Sequence, residues 1–274
     1  MKNRTTAIAI GGFDGMHIGH QKLFSQLGKN GTIVVIETGY ANLTPQKERE
    51  NFSDYPIFYF DLDSIRHLDG EGFIKLLQEK FPLLEKIVVG YDFHFGKNRK
   101  YSFNDLTDIF EGEVTVVEEV SLQNDSIHSH KIRAKIQIGD IKGANAFLGH
   151  HYTIRGKQVQ GQGLGKKELV ATINLITENF LVPKEGVYVT LTRIDSEEHF
   201  HPSVSFIGHR VTTDGSFAIE THLLDGEVVC KDKASISFIS FIRNNKKFND
   251  LKSLNEAIKK DIAIAHKELQ LLQL

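Results

Sequence analysis

The stretch "GGFDGMHIGH", Gly11 to His20, directly follows a short apolar run, Thr6–Ile10. A strand that ends in glycines and leads into a helix is a typical phosphate site. The first turn of the helix offers free N–H groups and a partial positive charge. Glycine lets a ligand approach the backbone closely. The stretch therefore predicts a strand–turn–helix unit that could bind a nucleotide triphosphate.

Two histidines, His17 and His20, stand three residues apart in this stretch, so one helical turn could point both at the same place. Gly19 between them would leave room beneath a flat base. A glycine-rich strand-to-helix turn is also common in α/β folds, and histidines near helix starts are often only solvated. The short pattern GxxGH leaves both interpretations open, whereas the complete run after a strand is more specific.

Length and composition limit the possible classes of protein. A chain of 274 residues favours two domains. The formal net charge of −2 and a pI near 6.7 disfavour wide binding to nucleic acid or to an anionic membrane. Cys230 is the single cysteine, which fits a reducing compartment. No apolar run approaches the ~18 residues of a membrane span, and the first apolar run is too short for a secretory signal. We therefore expect a cytoplasmic protein without membrane or nucleic-acid partners, as a monomer or weak oligomer.

The first half of the chain alternates short apolar runs with helical patterns. Such alternation favours a Rossmann-like parallel sheet with helices on both faces. The predicted strands are Thr6–Ile10, Thr32–Glu37, Lys86–Gly90 and Glu113–Val120. Helices are predicted near Gly19–Leu27, around Phe73–Leu77, and over Asp140–Leu148.

The second half alternates polar or small residues with apolar ones, which is the pattern of half-buried antiparallel strands. Val187–Ile194, Phe217–Leu224 and Ala234–Ile242 are the predicted strands, and together they favour a small β-barrel. Apolar residues from Leu251 to Leu269 keep helical spacing and predict a long last helix. The change of pattern places the domain boundary near residue 150, giving domains 1–150 and 151–274.

The run "GGFDGMHIGHQKLF" resembles the GxFDGxHxGHQ signature of the bifunctional riboflavin kinase/FMN adenylyltransferase family, the prokaryotic FAD synthetases. The HxGH element also occurs in other nucleotidylyltransferases and in class I aminoacyl-tRNA synthetases. The FDG that precedes it favours the FAD synthetases among these families. Further segments resemble the family in the same order along nearly the whole chain. They are Val88–Ser102, Ile127–Gly163, Val182–Val189, Phe206–Asp225 and Ile236–Ala265.

The resemblance implies two activities that use ATP and Mg²⁺. The second module would transfer the γ-phosphate of ATP to riboflavin, and the first would transfer AMP from a second ATP to FMN. His17 and His20 would be catalytic in AMP transfer. The implied ATP-binding residues of this module are Gly11, Gly12, Phe13, Asp14, Gly15, Gly19, Ser129 and Arg133. Asp92, Phe93 and Phe95 would contact flavin.

For the kinase module the resemblance implies that Glu220 is the general base and that Thr172 and Asn174 hold Mg²⁺. Arg243 would contact the flavin. Gly161, Gly163 and Gly165 of "GQGLG" would belong to a loop over the ATP phosphates. Taken alone, Glu220 would be an outward-facing strand residue, Arg133 a surface ion-pair partner and Asp92 a turn carboxylate.

The sequence departs from the family pattern at several points. The FxPHP segment is replaced by "IETGYANLTP", although "LTP" and Arg49 match the LTxxxER that follows it. His128 and His130 replace residues of ISST. GFPTAN has become "LVATIN" and RPT has become "RVT", with the loss of prolines that pre-shape a loop.

These departures leave alternatives to the bifunctional enzyme. A single-activity FMN adenylyltransferase, with the barrel reduced to flavin binding, would need FMN rather than riboflavin. A non-catalytic flavin sensor would bind flavin without ATP turnover. An adenylyltransferase for another phosphorylated substrate is disfavoured by "DFHFG" and by the second module.

Overall fold

The computed structural model describes residues 4–160, 171–195, 197–210, 215–226 and 230–271. The described residues up to Ser129 form one compact unit, and those from His130 form a second. Functional domain limits near residue 150 stay a prediction, because packing alone does not assign an activity to either unit.

The strands of the first unit are β1 (Ala7–Gly11), β2 (Gly31–Glu37), β3 (Ile57–Asp61), β4 (Lys86–Gly90), β5 (His94–Phe95), β6 (Tyr101–Ser102), β7 (Glu113–Val117), β8 (Ser121–Leu122) and β9 (Asp125–Ser126). Five of them form a parallel sheet in the order β3-β2-β1-β4-β7, and β5–β6 and β8–β9 form two small hairpins. The helices are α1 (Ile18–Phe24), α2 (Leu62–Ile65), α3 (Gly70–Lys80), α4 (Phe103–Ile109) and α5 (Ser129–Ile138), and α5 continues into the second unit. Two 3₁₀ turns lie at Gln46–Phe52 and Lys97–Arg99.

Both faces of the parallel sheet are buried, because successive side chains of a strand point to opposite faces. Ile8 and Ile10 pack in a cluster with Phe73 and Leu77 of α3 and Leu106 of α4. Ala7 and Ala9 pack on the other face in a cluster that includes residues of α1. The predicted Rossmann-like first domain is confirmed.

The strands of the second unit are β10 (Thr153–Val159), β11 (Ile173–Ile176), β12 (Gly186–Ile194), β13 (His201–His209), β14 (Phe217–Leu223) and β15 (Lys233–Arg243). They form a closed six-stranded antiparallel barrel in the order β10-β11-β14-β13-β12-β15. Its further helices are α6 (Ile141–Leu148) and α7 (Leu251–Gln270). The predicted barrel and long last helix are confirmed.

Strand β12 of the barrel is buried on both of its faces. Val189 and Leu191 pack with Ala265 and Leu269 of α7. On the opposite face of β12, Thr190 lies within 2.8 Å of the Ser203 hydroxyl oxygen. Further hydroxyl–hydroxyl contacts join Thr190 to Ser205, Thr192 to Ser203 and Thr221, and Ser205 to Thr221. The alternation in the sequence therefore separates a hydroxyl-lined interior from a helix-covered exterior.

Candidate active sites

A cavity of about 480 Å³ opens at the carboxyl ends of β1 and β4. The strand order reverses between these two central strands, and ligands of open α/β sheets bind at such a switch point. Gly11 ends β1, Gly90 ends β4, and both line the cavity. Among the predicted site residues the walls include Gly11, Gly12, Phe13, His17, Gly19, His20, Asp92, Phe93, Phe95 and Ser129.

The imidazole rings of His17 and His20 stack on each other, with centroids 3.4 Å apart and planes 20° apart. His17 caps α1: its Nδ1 accepts a hydrogen bond from the backbone N–H of His20 at 3.3 Å. The Nδ1 atom of His20 is buried and has no hydrogen-bond partner among the described residues. An unpaired buried polar atom costs about 1–3 kcal/mol, so a ligand that bonds this nitrogen regains that free energy.

His20 carries an altered proton affinity. Burial lowers the pKa of His20 well below its ordinary value of 6.5, and repulsion from His17 and Arg49 lowers the pKa further. His20 is therefore neutral at physiological pH and can both donate and accept a hydrogen bond through its ring.

Asp14 holds the loop between β1 and α1 in place through hydrogen bonds to a distant segment. Its carboxylate accepts backbone N–H bonds from Asn42, Leu43 and Thr44 at 3.2, 3.0 and 2.9 Å. The N–H of Gly15 donates to the Thr44 hydroxyl at 2.7 Å. The Asp14 side chain is buried and supports the loop, whereas a direct contact of Asp14 or Gly15 with ATP stays a prediction.

Ser129 also lines the cavity and is hydrogen-bonded to the same loop. Its hydroxyl donates to the carbonyl oxygen of Asp14 at 2.7 Å. Arg133 follows four residues later in α5, so helical geometry places the two side chains on one side of that helix. Arg133 belongs to the second unit, and its role in ATP binding stays a prediction.

Gly19 and Gly12 differ in what surrounds them. A Cβ atom at Gly19 would lie 3.1 Å from the Nδ1 atom of His17, so Gly19 makes room for the His17 ring. A Cβ atom at Gly12 would meet nothing within 4 Å. Gly12 is exposed and lines the cavity, so its backbone is open to a ligand.

Aromatic side chains also line the cavity. The rings of Phe93 and Phe95 stack at 5.6 Å between centroids, and both residues are buried. Asp92 beside them is exposed at the carboxyl end of β4. The three flavin residues predicted for the first module therefore line the same cavity as the histidines. Aromatic rings next to an exposed carboxylate can hold a flavin ring.

The barrel carries a second cluster of predicted residues. Asn174 and Glu220 are direct partners across the β11–β14 ladder. Arg210 donates from its Nε to Glu220 at 2.5 Å and from its Nη2 to the Asn174 Oδ1 at 2.6 Å. Asn174 in turn donates to the Thr172 hydroxyl at 3.5 Å. The structure therefore brings Thr172, Asn174 and Glu220 together.

The donor atoms of this cluster fit a Mg²⁺ ion, which prefers oxygen ligands and keeps several of its waters. Thr172 and Asn174 offer a hydroxyl and an amide oxygen. The amide oxygen has two lone pairs, so Asn174 can keep its bond from Arg210 and still bind a cation.

The remaining predicted residues of the second module are three glycines and Arg243. Gly161, Gly163 and Gly165 lie outside the described residues. Arg243 forms a two-pronged ion pair with the buried Asp261, with nitrogen–oxygen distances of 2.7 and 2.9 Å. This pair ties the end of β15 to α7, and flavin contact by Arg243 stays a prediction.

Two family models match the chain. The model for riboflavin kinase matches residues 148–269, and the model for FAD synthetase matches residues 1–38. The bifunctional riboflavin kinase/FMN adenylyltransferase of Listeria monocytogenes is 28% identical over 93% of this chain and 89% of its own. The enzyme of the same name from Buchnera aphidicola is 30% identical over 97% of this chain and 94% of its own. The chain belongs to the bifunctional riboflavin kinase/FMN adenylyltransferase family.

A solved structure shares the fold of this family member. The crystal structure of a protein from Streptococcus pneumoniae, titled a macrolide-efflux protein, superimposes with a TM-score of 0.83. It covers 97% of both chains at 23% sequence identity. Within the described part of the chain, no helix combines the length and apolarity needed to cross a bilayer.

Sequence reasoning missed two arginines that organise the sites of this family member. Arg210 lies in "GHRVT", where the sequence signal was the missing proline rather than the arginine. Arg210 nevertheless donates hydrogen bonds to two of the predicted kinase residues. Arg49 is almost fully buried: its Nε donates to the Gly12 carbonyl at 3.1 Å and its Nη1 pairs with Glu37 at 2.8 Å. A buried arginine in a polar sequence segment carries no periodic signal, so the LTxxxER match was the only pointer to Arg49.

Proposed function

We propose that this chain makes FAD from riboflavin in two steps. In the first, the riboflavin 5′-hydroxyl attacks the γ-phosphorus of ATP, giving FMN and ADP. In the second, the FMN phosphate attacks the α-phosphorus of another ATP, giving FAD and pyrophosphate. The observation that carries the proposal is the presence of two separate polar sites in a member of this family: the stacked histidines, and the cluster around Glu220.

The adenylyl transfer is assigned to the cavity of the first unit. The FMN phosphate is already anionic, so the step needs positioning and charge stabilisation rather than a strong base. His17 and His20 would bind the ATP phosphates, with the open backbone at Gly12 beside them. The buried, neutral His20 becomes a better proton acceptor once phosphates bring negative charge close to it.

The flavin ring is assigned to the wall of Phe93 and Phe95, with Asp92 at its edge. This wall and the histidines line one cavity, which supports binding of both substrates at once. Arg49 would support the reaction by holding the loop after β1, and Asp14 and Gly15 would both hold this loop and contribute to the ATP site.

The phosphoryl transfer is assigned to the barrel. A riboflavin hydroxyl is neutral, so a carboxylate must accept its proton, and Glu220 is the proposed base. Arg210 is the proposed positioning residue, because its guanidinium holds Glu220 and Asn174 at once. Thr172 and Asn174 would hold Mg²⁺, which neutralises phosphate charge when bound.

The loss of glycine and proline from the GFPTAN segment does not separate the groups that follow it. Asn174 still faces Glu220, and Thr172 still lies beside Asn174. This supports a working kinase over a barrel reduced to flavin binding. We assign AMP transfer to domain 1–150 and kinase activity to domain 151–274, in line with the segments that the two family models match.

We also propose that the enzyme acts in the cytoplasm as a monomer or weak oligomer, without a nucleic-acid partner. The near-neutral net charge disfavours a nucleic-acid partner, and the single cysteine fits a reducing compartment such as the cytoplasm. Size-exclusion chromatography with light scattering measures the oligomeric state directly.

Chromatography of flavin products tests the proposal. Purified chain with riboflavin, ATP and Mg²⁺ should yield FMN and then FAD. FAD from FMN but no product from riboflavin would establish the single-activity adenylyltransferase instead. Tight flavin binding without any product would establish a flavin sensor.

A further inference from the structure

Three potential metal ligands converge at the end of the barrel where β13 begins and β14 has ended. They are His199, His201 and Asp225, and one ligand atom from each lies within 4.8 Å of the others. The His201 Nδ1 lies 2.9 and 3.1 Å from the two Asp225 oxygens, and the His199 Nε2 lies 3.3 Å from the nearer one. Asp225 stands five residues beyond Glu220, about 17 Å along an extended chain, so the cluster lies away from the proposed kinase base.

We propose that His199, His201 and Asp225 bind one Zn²⁺ ion or a similar d-block cation. Two imidazole nitrogens and a carboxylate oxygen are donors that Zn²⁺ accepts, whereas Mg²⁺ and Ca²⁺ favour all-oxygen sites. Tetrahedral coordination with bonds of about 2.0–2.1 Å places neighbouring donors about 3.3 Å apart. The two histidine nitrogens lie 3.3 and 2.9 Å from one Asp225 oxygen, near that value, and all three ligand atoms lie within 4.8 Å of one another, so side-chain rotations can bring them to one cation.

The surroundings of His201 support a metal ligand. His201 is buried, and while its Nδ1 faces Asp225, its Nε2 lies 3.1 Å from the Glu197 carboxylate. A metal-bound histidine characteristically donates its second ring N–H to a carboxylate, which fixes the tautomer and the ring orientation. Glu197 would fill this orienting role and leave the Nδ1 lone pair of His201 for the cation.

The backbone already holds the ligands next to each other. The N–H of Leu224 donates to the Pro202 carbonyl at 2.8 Å, which places Asp225 beside His201. The side chain of His199 is 66% exposed, so a cation can enter from solvent on that side and keep a water as its fourth ligand. The bound cation would join the β12–β13 connection to the segment after β14.

The inference is independent of the proposed flavin chemistry, because the test uses the metal alone. The chain is prepared without an affinity tag, stripped with a chelator and titrated with Co²⁺, whose visible absorption is intense for tetrahedral sites and weak for octahedral oxygen sites. We expect one equivalent to give the intense band, Zn²⁺ to displace it, and the melting temperature to rise with Zn²⁺ concentration.

Variants separate this site from other metal binding. His199→Ala and Asp225→Asn should weaken binding at least tenfold, and Glu197→Gln should weaken it by about tenfold. His199 is exposed, so its replacement should leave the fold intact, which circular dichroism checks. His266→Ala, at an exposed histidine of α7, and Thr172→Ala should leave the band unchanged. Absence of the intense band, or a band of equal affinity in folded His199→Ala, would overturn the proposal.

Discussion

The Nε atom of Arg210 lies 2.5 Å from Oε1 of Glu220, and Nη2 of the same guanidinium donates to the Asn174 amide oxygen at 2.6 Å. Arg210 directly follows the last residue of β13, and Glu220 lies in the neighbouring strand β14. The planar guanidinium can satisfy both acceptors at once, which a lysine ammonium on a flexible stem cannot do with the same geometry. Arg210 thus fixes the direction in which the proposed base points.

Arg210→Lys should lower the kcat of FMN formation by about tenfold or more, because Glu220 loses its fixed orientation. FAD formation from supplied FMN should stay within twofold of wild type. Steady-state assays with each flavin measure both rates. Arg193→Lys, at an arginine that lies over the Phe200 ring, is the matched control. Full kinase activity in Arg210→Lys would rule out the positioning role.

Two glycine substitutions test two different roles. Gly19→Ala tests whether the position of the His17 ring matters, and Gly12→Ala tests whether ATP approaches the backbone at Gly12. In Gly19→Ala the new methyl group crowds the His17 ring, so AMP transfer should fall about tenfold or more while the kinase remains active. In Gly12→Ala the methyl group meets no protein atom but enters the cavity. The KM for ATP in AMP transfer should therefore rise, with thermal stability unchanged within about 0.5 kcal/mol. An unchanged KM in Gly12→Ala would show that ATP does not approach this backbone.

The lowered pKa of His20 predicts how the free energy of unfolding depends on pH. The unfolded chain takes up a proton at His20 as the pH falls through 6.5, whereas the folded chain resists it because the buried ring has a lowered pKa. The free energy of unfolding attributable to His20 is therefore fully present above pH 6.5 and decreases below it, at no more than about 1.4 kcal/mol per pH unit.

Urea unfolding of wild type and His20→Gln over this range measures the effect. The wild type should lose more stability than His20→Gln between neutral pH and the folded pKa. His67→Gln, at an exposed histidine, should follow the wild type. Parallel pH curves for wild type and His20→Gln would contradict the assigned direction.

Local sequence signals predicted the elements that carry strong periodicity. The glycine-rich turn after β1 and the histidines that follow are set by neighbouring residues, so the sequence alone located them. The strand Ile57–Asp61 was missed, because an isolated apolar run of this length does not distinguish a strand from a buried turn. The predicted strand Glu113–Val120 ends earlier, at Val117.

Contacts between distant segments could not be predicted in the same way. Asp14 binds the backbone of residues some 30 positions away, and only the fold brings those N–H groups to its carboxylate. The alternation around Thr190 indicated a strand correctly but suggested an outer face in water. The structure places its hydroxyl inside a closed barrel, since alternation reports two environments without saying which one is solvent.

The most direct measurement of the two-site account is flavin-product chromatography of Glu220→Gln and His20→Gln, each supplied with riboflavin or with FMN. Glu220→Gln should form FMN from riboflavin about 10²–10⁴-fold more slowly and still convert FMN to FAD. His20→Gln should accumulate FMN from riboflavin, with FAD formation lowered by about 10²–10³-fold. Loss of both activities in either folded variant, or full FAD formation in His20→Gln, would contradict the account.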